Sequence, residues 1–149
     1  MHKARIVGID YGIARLGLAI SDPTHLIASP LKTFSAEKKM EMTAQNLLKF
    51  LADYCKENKT AIERIVIGMP LMMSGKRGFL ADEVQAFVEL LKTHSPIPVE
   101  VWDERLTSVQ ADRVLREGHM TRKKRAQVID AVAAVIILQN YLDAKRLDA

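Results

Sequence analysis

Apolar residues in the first fifth of the chain come in short unbroken runs rather than at helical intervals. Arg5-Ile6-Val7-Gly8-Ile9 and Leu16-Gly17-Leu18-Ala19-Ile20-Ser21 are rich in aliphatic side chains and too short for helices, so each predicts a buried strand. Only the turn-like stretch from Tyr11 to Arg15 separates them. It is too short to hold a helical crossover, so the two strands are expected to pair antiparallel. Pro23 ends the second strand. A third is expected over Ile27 to Phe34, at a sheet edge because Pro30 interrupts it.

The period then changes. Ser35 reads as a helix N-cap, and Met40, Ala44, Leu47, Leu48 and Leu51 recur on one helical face. Glu63 to Gly68 is the next strand, and Met69 to Gly78 is a loop carrying Pro70, Gly75 and Gly78. Leu80, Val84, Phe87, Val88 and Leu91 line a second helix. Pro96 and Pro98 lead into a strand over Val99 to Trp102. Thr107 and Gln110 fit a capping box that opens a helix ending near Gly118. A polar, basic stretch from His119 to Arg125 precedes a last helix from about Gln127 to Leu142. Strands joined through helices run parallel, so a mixed sheet with helices packed on it follows, an α/β or α+β arrangement in one domain.

Composition agrees: 149 residues, 48% apolar and 27% charged, suit one domain with its own core. Cys55 is the only cysteine, which excludes an internal disulfide and a cysteine-type zinc site. Its place in a helical pattern marks it as unreactive. Neither a leader peptide nor an apolar run of the ~20 residues needed to span a membrane is visible, and a cytoplasmic location is expected. The net charge of +4 permits a nucleic-acid partner without requiring one.

Carboxylates at strand ends change the picture. Asp10 follows the first strand, and Asp103 and Glu104 follow Val99 to Trp102, so parallel strands would bring them to one sheet edge. Asp130 lies within Val128 to Leu138, a segment apolar on every side that predicts a buried helix. An unpaired buried carboxylate costs several kcal/mol, so Asp130 needs a metal, a basic partner or an opening to solvent. Asp10, Glu104 and Asp130 together would form an oxygen-donor set for Mg²⁺ or Mn²⁺, in a two-ion arrangement suited to phosphoryl chemistry. Taken singly, each has a plainer explanation. Asp10 is a common turn residue. Glu104 sits beside Arg105 as a possible surface ion pair, and Asp130 is a possible buried partner for Arg105 or Arg113. Adjacent strand residues face opposite ways, so Asp103 and Glu104 are alternatives.

The stretches Gly8-Ile9-Asp10-Tyr11-Gly12, Leu16 to Asp22, Ile67-Gly68-Met69-Pro70-Leu71, Asp103-Glu104-Arg105-Leu106-Thr107-Ser108, and Arg122 to Ala134 occur in an order that resembles the YqgF family of Holliday-junction-resolvase-like proteins. The resemblance covers nearly the whole chain. It implies an α/β, RNase H-like fold over residues 1–149, with a mixed five-stranded sheet flanked by helices. It also implies a metal-dependent nuclease that matures the 5′ end of the small-subunit ribosomal RNA precursor, with its acidic positions on Asp10, Glu104 and Asp130. One departure stands out. After Gly-x-Pro-Leu this chain reads Met72-Met73-Ser74-Gly75, where the family usually has Asn and then an acidic residue before Gly.

Arg122-Lys123-Lys124-Arg125 is the densest positive run and directly precedes the segment carrying Asp130. With Arg105, Lys76 and Arg77 it forms the expected phosphate-contacting set, which confers affinity rather than sequence preference. A solvated charged face is the plainer alternative. Aromatic residues are 5% of the chain, so no base-stacking platform is expected. The expected substrate is structured precursor rRNA, with branched DNA as an alternative and ribosomal particles as candidate partners. His25, His94 and His119 stand singly, and surface roles are expected for them. A non-catalytic RNA- or ribosome-binding module is the competing class. It is disfavoured because carboxylates repel phosphates unless a metal intervenes. A sugar-kinase-like ATPase would need far more chain and a second phosphate hairpin.

Overall fold

The computed structural model describes residues 4–70, 78–103 and 122–147, with side chains over 4–70, 78–103 and 131–146. Five strands are present: β1 (Arg5–Tyr11), β2 (Arg15–Ser21), β3 (Ala28–Ser35), β4 (Ile62–Met69) and β5 (Val99–Asp103). They form one sheet in the order β3-β2-β1-β4-β5. The β1–β2 and β2–β3 pairs are antiparallel and β1–β4 and β4–β5 are parallel, the mixed sheet that the connection lengths require. β3 takes the edge, where Pro30 can be tolerated.

Among the described residues, three helices cover the two faces: α1 (Met40–Asn58), α2 (Phe79–His94) and α3 (Arg122–Leu147). Alternation along β1 decides which face each residue serves. Val7, Ile9 and Tyr11 pack with Leu47, Leu51, Val84, Phe87 and Leu91 of α1 and α2. Ile6 packs on the other face with Ala134, Ile137, Leu138, Tyr141 and Leu142 of α3. Tyr11 is buried, its ring centroid 5.0 Å from that of Phe87, so packing is its role at the end of β1. Cys55 is partly buried, and burial pushes its thiol up, which agrees with an unreactive thiol.

Four local expectations change. Ser35 does not cap α1. It continues the antiparallel ladder opposite Arg15, and the backbone N–H of Ala36 still bonds to Ala14. The cap position falls on Lys39, which has no side chain suited to the task, while the Thr43 hydroxyl accepts from the Glu37 N–H. α3 runs over Arg122–Leu147, so Arg122 to Arg125 belong to the helix rather than to the stretch before it. It is also not buried all round: Ala133, Ala134, Ile137 and Leu138 are sealed against the sheet, whereas Val132, Val135 and Ile136 are only half-buried. His25 and His94 are partnered rather than merely exposed. His25 adopts φ 61°, and its Nε2–H is shared between the Ala4 carbonyl at 2.7 Å and Glu63 at 2.9 Å. His94 reaches Glu41 at 3.3 Å. The capping box at Thr107 and its helix, and His119, lie outside the described residues.

The strand ends away from Asp10 are tied to α3 by a polar cluster. Arg64 Nη1 donates to Glu100 Oε2 at 2.7 Å, the Tyr141 hydroxyl donates to the same oxygen at 2.9 Å, and Lys145 Nζ lies 3.8 Å from Glu100 Oε1. Burial acts to raise the Glu100 carboxyl, but Arg64, Tyr141 and Lys145 outweigh it and hold it below the ordinary carboxylate range. A carboxyl depressed in the folded state stabilises the fold above its unfolded pKa of about 4.3 and loses that contribution as pH falls through the folded value. Wild type should therefore melt above Glu100→Gln at neutral pH, with the two curves converging below about pH 4. Melting temperatures that stay equally far apart at low pH would show that the charge is not what matters there.

Candidate functional site

One row of residues crosses the α3 face of the sheet at the carboxyl end of β1. Asp10 is opposed by Gly17 of β2, and Gly17 by Thr33 of β3. On the other side the parallel register pairs Ile9 with Ile67, so one step further places Gly68 of β4 beside Asp10, and Gly68 is paired with Trp102 of β5. Asp10 thus has a residue without a side chain on each flank. Its carboxylate is half-buried and both glycines are buried, with Thr33 and Trp102 at the two ends of the row.

Gly8 decides how α3 crosses this face. A Cβ built there would lie 2.7 Å from Leu138 Cβ and 3.2 Å from the Ala134 carbonyl oxygen, so the helix rests on bare strand backbone. Ile6 shares a cavity with Tyr141 and Leu142, while Gly8 meets Leu138 and Ala134, so α3 runs antiparallel to β1. Moving from Gly8 to Asp10 advances about 7 Å along the strand, and stepping from 134 back to 130 retreats about 6 Å along the helix. Position 130 is therefore level with Asp10. It stands four and eight positions before Ala134 and Leu138, which are sealed against the sheet. The Asp130 side chain lies outside the described residues. Arg122, Lys123, Lys124 and Arg125 occupy the first helical turn, beyond position 130 along the helix. No acidic residue accompanies them there, so the positive helix end and four cations add together.

The strand-end carboxylates separate by parity. Glu100 and Trp102 lie on the α3 face, where both meet Tyr141, which leaves Val99, Val101 and Asp103 for the opposite face. Asp103 is the last residue of β5 and faces away from Asp10. Glu104, Arg105, Lys76, Arg77 and the departing sequence Met72-Met73-Ser74 lie outside the described residues. Among the described residues no three His, Cys, Asp or Glu side chains come together to hold a metal. A carboxylate oxygen such as those of Asp10 is the kind of donor that hard divalent cations take. A cavity of about 520 Å³ opens at the far end of α3 between Ile6, His25, Arg64 and Tyr141. It is remote from Asp10, and its cations are engaged by Glu63, Glu100 and Asp143.

Sequence reasoning missed Arg15 and Thr33, which share the face of Asp10, and the glycines that flank it on the neighbouring strands. The alternation of Gly8, Asp10 and Gly12 with Val7, Ile9 and Tyr11 was the available signal, and it becomes legible only once the pairing register is known.

Two solved Holliday junction resolvases share this architecture. Thermus thermophilus RuvC in complex with a Holliday junction substrate superposes with a TM-score of 0.55 at 16% identity, over 96% of both chains. Fowlpox virus resolvase with Holliday junction DNA gives 0.57 at 16% identity, over 95% of this chain and 98% of that one. At that identity the likeness establishes the fold, which is RNase H-like. Curated relatives are nearer in sequence. A Protochlamydia amoebophila protein named "Putative pre-16S rRNA nuclease" is 56% identical over 142 residues, 95% of each chain. A protein of the same name from Chloroflexus aggregans is 42% identical over 146 residues, 98% of each. The family model described as "RuvX: Holliday junction resolvase" matches residues 4–144. With the glycine-flanked Asp10 and the order of the sheet already in place, a match of that extent means that the chain belongs to the RuvX family.

Proposed function

We propose that this protein is a metal-dependent nuclease that hydrolyses phosphodiester bonds in the precursor of 16S ribosomal RNA, acting in the cytoplasm during ribosome biogenesis. The observation that carries the reading is Asp10 at the end of β1 between Gly17 and Gly68, on the face that α3 crosses with its basic first turn. The relatives named for pre-16S rRNA processing support the substrate class.

Asp10, Glu104 and Asp130 would hold one or two Mg²⁺ or Mn²⁺ ions. Glu104 is preferred to Asp103 because Asp103 ends β5 on the face away from Asp10. Divalent ions bound there supply Lewis-acid activation of water and charge stabilisation of the leaving oxygen. Arg122, Lys123, Lys124 and Arg125 draw the strand to the edge where it is cut, and Arg105, Lys76 and Arg77 extend the same basic surface. Because cations contact phosphates rather than bases, substrate choice rests on RNA shape.

The deciding experiment incubates wild type with a precursor-rRNA fragment, single-stranded RNA and a branched DNA junction, with and without Mg²⁺ or Mn²⁺. Metal-dependent cutting of the precursor at its 5′ end is the expected result. Preferred cutting of the junction would replace the RNA reading with a resolvase one. Binding without cutting of any substrate would favour the non-catalytic module. Changing Arg122, Lys123, Lys124 and Arg125 to Gln should reduce the slope of log affinity against log salt by about 3, since each single-strand phosphate contact contributes roughly 0.7. An unchanged slope would remove these residues from the interface.

A further inference from the structure

The chain has four phenylalanines, three tyrosines and one tryptophan. All but Phe79 are buried or half-buried, whereas Phe79 is 70% exposed. A single exposed apolar residue is ordinary on a protein surface. This one is an aromatic ring at the edge of the sheet where Asp10 stands. β4 runs parallel to β1 and leaves the sheet at Met69, level with the end of β1. α2 then leads back to Val99, which pairs with Ile65 near the start of β4, so its first turn lies at the carboxyl edge.

The side of α2 that carries Phe79 is tied to the residue after Asp10. The Tyr11 hydroxyl donates to Glu83, and its ring packs 5.0 Å from that of Phe87. Phe79 and Glu83 are four positions apart, so they share one side of the helix. Phe79 therefore stands about 6 Å past Glu83 along the axis, toward the edge and away from the core. A Cβ built on Gly78 would meet nothing within 4 Å, which leaves the approach to this turn open. Groups fixed on helices keep their geometry better than groups on loops. Lys76 and Arg77 come three and two positions earlier in the sequence. An exposed ring beside cations is the combination that binds single-stranded nucleic acid, since every base has a face to stack and every nucleotide a phosphate to attract.

We propose that Phe79 stacks on an unpaired base of the RNA strand held at Asp10, so that the protein selects RNA that is single-stranded beside the cut. This rests on the nuclease reading for its substrate. It adds a preference for unpaired over paired RNA, without a preference for sequence.

The test is equilibrium binding to the full-length protein in EDTA, where RNA stays uncut, using a labelled single-stranded precursor-rRNA fragment and the same fragment annealed to its complement. Phe79→Ala should weaken binding of the single strand about tenfold, leave the slope of log affinity against log salt unchanged because no phosphate contact is lost, and leave duplex binding as in wild type. Phe79→Trp should keep the affinity for the single strand. Phe79→Leu, apolar but without a ring face, should lose most of it, and serves in place of Phe79→Ala should that variant fail to fold. Ile27 is 62% exposed beside Ala28, which pairs with Ser21 at the opposite end of the sheet, so Ile27→Ala is the control and should bind both RNAs as wild type does. Wild-type affinity in Phe79→Ala, an equal loss on the duplex, or an equal loss in Ile27→Ala would each overturn the proposal. A wild type that shows the expected pattern yet never cuts RNA with metal present leaves the stacking contact standing and removes the nuclease reading. A wild type that binds no RNA removes both.

Discussion

Asp10→Asn should keep the fold and melting temperature of wild type in metal-free buffer and cut the precursor at least about a thousandfold more slowly. Divalent ions contribute several kcal/mol of transition-state stabilisation in such sites, and each 1.36 kcal/mol is about a factor of ten. The fold should survive because Asp10 is half-buried between two glycines, so an isosteric amide opens no cavity in either apolar cluster. A second readout does not depend on turnover. Saturating Mn²⁺ should raise the melting temperature of wild type, since a ligand bound only by the native state stabilises it, and should raise that of Asp10→Asn much less. Turnover within tenfold of wild type would sink the assignment of Asp10. A metal shift that is the same in both proteins would place the ion elsewhere.

Gly8→Ala is expected to lower both stability and activity. The added methyl would lie 2.7 Å from the Cβ of Leu138, an atom that no side-chain rotation can move, and 3.2 Å from helix backbone at Ala134. Relief requires α3 to shift off the sheet, and overpacking of this kind costs about 1–3 kcal/mol. The same shift would carry position 130 and the basic first turn away from Asp10. Displacements near 1 Å can cost about a hundredfold in rate, so kcat/KM should fall by roughly that factor even where the variant is fully folded. Thermal melting and kinetics on the same preparation separate the two effects. Lost stability with wild-type kinetics would mean that the seating of α3 does not govern the site.

Much of the architecture was readable in the residue pattern. Unbroken apolar runs, a connection too short for a crossover and an interrupting proline were enough for the β1–β2 pairing, the parallel strands beyond them and the edge position of β3. Local physics overruled the pattern at Ser35, where a ladder bond to β2 outweighs the N-cap preference for a hydroxyl residue. It also did so at Arg122 to Arg125, where helix propensity in long cationic side chains extends α3 past the apolar segment.

Along the chain, Asp10 could be picked out as a strand-end carboxylate because its neighbours are apolar and its type is not. Its environment could not be, since the flanking glycines come from strands 7 and 58 positions away, and only register aligns them. Nor could position 130 be brought level with Asp10 without the contact of Gly8 on Leu138, which fixes the angle and offset of the helix. The choice between Asp103 and Glu104 has the same character. Alternation says that they face opposite ways, but which way is opposite depends on the helix that covers Glu100 and Trp102. Side-chain type and spacing are local properties written along the chain. Which carboxylate shares a face with which helix is a property of the packed sheet, because it depends on pairing between segments that the chain holds far apart.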